Sequence, residues 1–173
     1  ESTWDLVHDG GVKSVNMVIM EEPEHVDRYM KLADKDGAKI EYPGKGEAVI
    51  NTALAEQYDI KTGDIIMVRD SEMKEIRVSV SGIFRNHVYN YVYISPETYE
   101  DQMGEAPQYK SVYFNLEEGA DSHEISADLM GDAATASVTI NKDMKNRISK
   151  MMESLNYIVI VVILSAGALA FIV

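Results

Sequence analysis

Four imidazoles, a lysine between two glycines and a row of tyrosines are the side chains in this sequence whose types could do chemistry. The histidines are His8, His25, His87 and His123, and no two stand at the spacing that puts a pair of metal ligands on one helix turn. With 29 Asp and Glu in the chain, a carboxylate beside a histidine arises from composition alone. Gly44-Lys45-Gly46 invites a phosphate-loop reading, but the Ser or Thr after the lysine and the upstream glycine are missing. Neither H-E-x-x-H nor G-x-S-x-G occurs. The chain has no cysteine, which removes thiolate ligands, cysteine nucleophiles and disulfides together. No catalytic residue, metal site or cofactor is expected, and the residue types point away from an enzyme.

The tyrosines lie in residues 87–94 (HVYNYVYI), where alternation puts Val88, Asn90, Val92 and Ile94 on one face of a strand and Tyr89, Tyr91 and Tyr93 on the other. Exposed, that row is a docking surface of the kind tyrosine favours. Packed, it is cross-strand contact on the second face of a sheet.

The elements that must position these groups follow from pattern. Residues 1–14 are turn-rich and hold the single Trp, Trp4, either an interfacial anchor or a ring packed on a domain edge. Residues 14–20 (SVNMVIM) predict a strand buried on both faces. Pro23 among acidic residues predicts a helix start, and Val26, Tyr29, Met30, Leu32 and Ala33 carry helical spacing until Gly37. Residues 48–50 predict a short strand, with Asn51 or Thr52 capping a helix over 53–58. Strands follow over 65–69 and 75–84, joined by a hairpin loop, with Gly82 marking a bulge or bend. Ser95-Pro96-Glu97 opens a helix to about Met103. Residues 110–116 (KSVYFNL) predict a strand, 121–130 a helix and 136–140 a last strand.

From Asn141 the pattern is helical to the end. Met144, Ile148, Met151 and Leu155 recur at i, i+4, i+7 and i+11, with Lys142, Lys145, Arg147 and Lys150 elsewhere around the helix. Residues 154–173 (SLNYIVIVVILSAGALAFIV) hold no charge, and 20 helical residues rise about 30 Å, the thickness of a bilayer's hydrocarbon core. A transmembrane helix is expected there, continuous with a water-exposed stalk over 142–153. Ala166 and Ala170 form a small-xxx-small pair that would let a second membrane helix approach closely. The chain is expected to be a piece of a longer membrane protein.

All 29 acidic and 16 basic residues precede Ser154, so the net charge of −13 belongs to the water-facing part. That argues against nucleic acid as a partner, and against lying flat on an anionic lipid surface. The element order is β-α, then β-α-β-β-β-α, then β-α-β, then the stalk. The first and last groups can pair as one split α/β layer around a small inserted sheet.

One segment has a family likeness. Residues 46–64 (GEAVINTALAEQYDIKTGD) resemble the strand, Leu-Ala pair, short helix, Gly-Asp and strand of the extracytoplasmic domains of FtsX-like and MacB-like ABC transporter permeases. The matching positions are Val49-Ile50, Leu54-Ala55, Tyr58, Ile60 and Gly63-Asp64, followed by the strand at 65–68. VSGIFRN followed by YVYISPETYED is similar to the same family, as is a domain running unbroken into a membrane helix. The resemblance implies an α+β fold of the MacB periplasmic core type. Its split porter-like subdomain would comprise residues 15–45 and 108–141 and its inserted β-rich subdomain residues 46–107. A connection from a preceding membrane helix would occupy residues 1–14. It also implies a cell-membrane protein with residues 1–153 extracytoplasmic. Its partners would be a cytoplasmic ABC ATPase subunit, a second permease copy and membrane lipid, and its work would be moving a lipid-linked or peptide substrate or a regulated partner. Under it the working parts are the stalk residues Met144, Ile148, Met151 and Leu155 and the face of Tyr89, Tyr91 and Tyr93. The basic residues before the membrane helix favour the cytoplasmic side by the positive-inside rule, but large domains translocate largely regardless of charge. The alternative is a ligand-sensing outer domain of a receptor such as a sensor kinase.

Overall fold

The structure is a computed structural model that describes residues 1–8 and 10–172, with side chains described as far as Gly167. It contains two compact units, Glu1–Asn115 and Leu116–Val173.

In the first unit, strands β1 (Ser2–His8), β2 (Gly11–Ile19), β3 (Glu47–Asn51), β4 (Ile65–Arg69), β5 (Glu75–Phe84) and β6 (Tyr91–Ile94) close a barrel in the order β1-β2-β6-β3-β5-β4. The β2–β6 and β3–β5 pairs are parallel, and the other four are antiparallel. Strict alternation makes β5 a barrel strand: Ile76, Val78 and Val80 are buried between exposed Glu75, Arg77 and half-buried Ser79. Leu6, Met17, Ile50, Ile66, Ile76 and Ile94 pack the interior together with Leu54 of helix α1 (Thr52–Tyr58). Helix α2 (Pro96–Met103) starts at Ser95, whose hydroxyl accepts from Thr98 N–H at 3.2 Å, and its Tyr99 meets Trp4 edge-on with centroids 6.3 Å apart. Trp4 is therefore a domain residue, 5% exposed, and not a membrane anchor.

This closed barrel overturns the expectation of a MacB-like porter core with an inserted β-rich subdomain. β2, assigned to the porter layer, sits in the same barrel as β3 to β6. The physical reason is β1, which lies where the sequence suggests only turns. It pairs with β2 along its whole length, from Ser2↔Met17 to His8↔Gly11, and with β4 at Asp5↔Arg69 to Val7↔Met67. With β6 on its other side, β2 has no edge left for a separate layer. Residues 110–116 and 136–140, expected as strands, carry no strand.

The helix expected after Pro23 is a single 3-10 segment, Pro23–Arg28. It stops short because Asp34 Oδ1 accepts from Asp36 and Ala38 N–H at 2.9 and 2.8 Å, and this side-chain turn competes with helical bonding. Residues 29–42 instead lie across the outside of the barrel. There Leu32, Met30, Ile40 and Tyr42 cover Val18, Val49, Phe84 and Tyr93 in a second apolar cluster. β2 is thus buried on both faces, with Met17 inside and Val18 under this cover. Gly82 makes the cover possible: a Cβ there would stand 2.6 Å from Ile40 Cγ2. The same stretch bulges, since Ala48 pairs with Val80 but Val49 with Gly82.

The second unit holds helix α3 (Ser122–Met130) and helix α4 (Asn141–Ile172). Asp121 caps α3, accepting from His123 and Glu124 N–H at 2.8 and 3.3 Å, and these bonds hold its carboxyl below the usual carboxylate range. His123 Nε2 stands 3.6 Å from Asp143 Oδ2 in the first turn of α4.

Candidate functional site

Helix α4 runs 32 residues without a proline, and nothing in its sequence ends it before the apolar run begins. Over Asn141–Gly167 it is long and apolar enough to cross a membrane by length and composition, and is the one such helix among the described residues. Its apolar side chains face outward all round: Tyr157, Val161, Ile163 and Leu164 are more than half exposed. Water would not tolerate that surface, whereas hydrocarbon would. Deep in the run, the Ser165 hydroxyl donates to Val161 O at 2.8 Å and so needs no outside partner.

The stalk residues Met144, Ile148, Met151 and Leu155 share one side of α4 by their spacing and are 53–68% exposed. They present an unoccupied stripe. Ala166 lies further along the same helix; the side chain of Ala170 falls outside those described, so the small-residue pair is described only in part.

The three tyrosines are separated by the fold. Tyr93 is buried, Tyr91 half-buried and Tyr89 72% exposed. Only Tyr91 and Tyr93 are in β6, on its outer face, because the strand begins at Tyr91 and Tyr89 sits in a loop at φ 58°. Tyr93 meets Phe84 and Tyr42 edge-on at 5.4 and 6.1 Å. The Tyr42 hydroxyl accepts from Met20 N–H and donates to Ile94 O, both at 3.0 Å.

Burial pushes the Tyr42 and Tyr93 phenols well above their ordinary value. Above pH ~10 the unfolded chain therefore releases phenolic protons that the native barrel keeps, so stability falls with rising pH. The expected slope is about 1.4 kcal/mol per pH unit for each such phenol. Tyr42→Phe should shallow the alkaline slope by one group while lowering stability near neutrality, as denaturant titrations followed through Trp4 would read. An unchanged slope would mean that Tyr42 is not buried as described.

A cleft of about 600 Å³ lies beside Gly82, bordered by Asp34, Lys35, Lys39, Glu41 and Ser81. Its polar groups are mostly engaged. Lys39 pairs with Asp27 at 2.6 Å and Glu41 at 3.3 Å, contacts that raise its pKa. Asp34 is occupied by its own turn, and Ser81 donates to Ala48 O at 3.3 Å. No nucleophile stands beside a base there. Gly44-Lys45-Gly46 is a docking loop for α2, with Gly46 N–H donating to Thr98 Oγ1 at 2.8 Å and Lys45 meeting Asp101 at 2.6 Å. Among the described residues no group of three or more His, Asp or Glu could hold a metal ion.

Asn51 is a residue whose part the pattern misses. As a helix start it reads as a cap, yet its side chain makes no cap bond. It is wholly buried; Nδ2 donates to Asn86 O at 2.9 Å and Tyr89 O at 2.8 Å, and Oδ1 accepts from Tyr91 N–H at 2.9 Å. The only signal is a polar residue ending the apolar run EAVIN.

Fold and helix together define a class: a closed six-stranded barrel and a helix suited to a membrane, in one chain. No family model matches the chain, and no curated protein matches it.

Proposed function

We propose that this chain is the non-catalytic, extracytoplasmic part of an ABC transporter permease of the FtsX/MacB class. In this reading, ATP hydrolysis by a separate cytoplasmic subunit moves α4, and α4 carries the movement to the parts outside. The outer parts then act on a lipid-linked or peptide substrate or on a partner, with a second permease copy completing the transporter. The observation that carries the reading is the unbroken α4, whose first turns suit water and whose remainder suits lipid. A helix is stiff over this length, so displacement at one end is delivered at the other. Further support comes from residues 46–64, which form β3, α1 and a Gly63 turn at φ 98°, followed by β4, in the order the likeness requires. The outer domain in this proposal is the barrel itself, not a porter core.

Orientation is tested by a single cysteine at Ser71, exposed in the β4–β5 turn, in the full-length membrane protein cleared of any other cysteine. An impermeant thiol reagent should label it in intact cells. Labelling only after lysis would put the barrel in the cytoplasm and end the proposal.

A further inference from the structure

We infer that Lys142, Lys145, Arg147 and Lys150 form a collar on α4 that binds the phosphates of anionic phospholipid headgroups. The inference rests on the reading that α4 crosses a membrane.

Charge distribution is the first ground. The chain carries −13 overall, yet residues 142–153 hold four cations against two acids, Asp143 and Glu153. Asp143 already faces His123 at 3.6 Å. The four cations are exposed, and none has an ion-pair or hydrogen-bond partner among the described residues. Of the twelve other Lys and Arg, five (Lys39, Lys45, Lys61, Lys74 and Arg77) find a carboxylate, and no other stretch of nine residues gathers four cations. An unpaired cationic run in so acidic a protein calls for an outside anion.

Position says which anion. At about 100° per residue, the four cations fall on the arc of α4 not used by Met144, Ile148, Met151 and Leu155. They leave the apolar stripe free and wind around the rest of the helix over about 12 Å of its axis, so they face whatever surrounds the helix and make no pocket for a single free phosphate. Along the axis, Lys150 is about 7.5 Å and Arg147 about 12 Å from Leu155, where the apolar run begins. The headgroup layer on each side of a bilayer is about 5–8 Å thick. Lys150 therefore starts within the headgroup layer; Arg147 starts beyond it and, because helical side chains tilt toward the N-terminus, here away from the hydrocarbon, acts on the headgroup phosphates through space. Lys145 and Lys142 lie a further turn or two out and act through space, over a Debye length of about 8–10 Å. Tyr157, 63% exposed two residues inside the run, marks the interface from the other side. The acidic groups of the barrel act against this attraction only where they come within the same screening length.

The test uses the full chain reconstituted in vesicles of equal parts phosphatidylcholine and phosphatidylglycerol, with a trace of either lipid spin-labelled. Electron paramagnetic resonance reads the fraction of each probe immobilised by protein. Spin-labelled phosphatidylglycerol should be held about fivefold more strongly than phosphatidylcholine, and the ratio should fall toward one in high salt. Arg147→Gln with Lys150→Gln should remove most of the preference, and Lys142→Gln with Lys145→Gln less. Equal association of both lipids with the wild type, in protein that alkaline carbonate fails to extract, would overturn the collar while leaving the membrane span intact. Extraction by carbonate would overturn the span and the collar with it.

Discussion

Asn51→Leu should lower the stability of the barrel unit by about 3–5 kcal/mol. Leucine has the branched heavy-atom outline of asparagine, is bulkier, and has none of its hydrogen bonds. The carbonyl of Tyr89 and the N–H of Tyr91 would lose the partner that now satisfies them at 2.8 and 2.9 Å, and Asn86 O would keep only the N–H of Ala53 at 3.3 Å. Each buried polar group so abandoned costs about 1–3 kcal/mol. There is a second contribution, because the bond to Tyr89 O holds a non-glycine residue at φ 58°. A left-handed residue of that kind persists only where its surroundings over-determine it, at about 1–3 kcal/mol. Asn51→Ala should lose less than the leucine variant, since water can enter the space and satisfy part of the set. Denaturant unfolding of the full chain in detergent, followed through the fluorescence of buried Trp4, measures both. A leucine variant as stable as the wild type would mean that the 86–91 loop does not depend on Asn51.

Asn51 also shows where sequence pattern stops being informative. β4, β5, α1, α2, α3 and α4 follow from local signals: period-two alternation, Pro and Ser at helix starts, and an apolar run without breakers. Those signals are contained within a few residues. The barrel is not, because its closure depends on pairings such as Leu6↔Val68 and Val18↔Tyr93, between segments far apart in the chain. β1 was hidden by composition: STWDLVH mixes polar and apolar residues as a turn-rich lead would, and only pairing with β2 and β4 makes it a strand. The third tyrosine, Tyr89, leaves the row for a reason equally invisible locally, since Asn51, 38 residues earlier, bonds its carbonyl. Residues 110–116 alternate well, but alternation without a free neighbouring edge makes no strand, and Val112 remains 84% exposed. At the membrane end the reverse holds: α4 needs no distant partner to form, so its whole length can be read from the sequence.

Ile148→Pro should separate ATP hydrolysis from work outside the membrane if α4 is the lever proposed for it. Proline at this position removes the N–H that bonds the carbonyl of Met144 and drives its ring against that carbonyl, at about 3 kcal/mol or more. The relief is a kink, which in helices with an interior proline typically exceeds about 20°. Movement of the lipid-embedded part would then bend the stalk instead of carrying it along. Barrel folding, read through Trp4, should be unaffected, because α4 belongs to the other compact unit and supplies no residue to the barrel core. Transport per ATP hydrolysed should fall roughly 5- to 150-fold, the range that a lost coupling energy of about 1–3 kcal/mol represents. Ile148→Ala is the matched control: it empties the same place in the Met144, Met151 and Leu155 stripe but keeps the helix straight, since alanine is the strongest helix former. If alanine and proline impair transport equally, the stripe acts by contact with another helix and stiffness is not what matters. If neither changes transport, α4 anchors the barrel and transmits nothing.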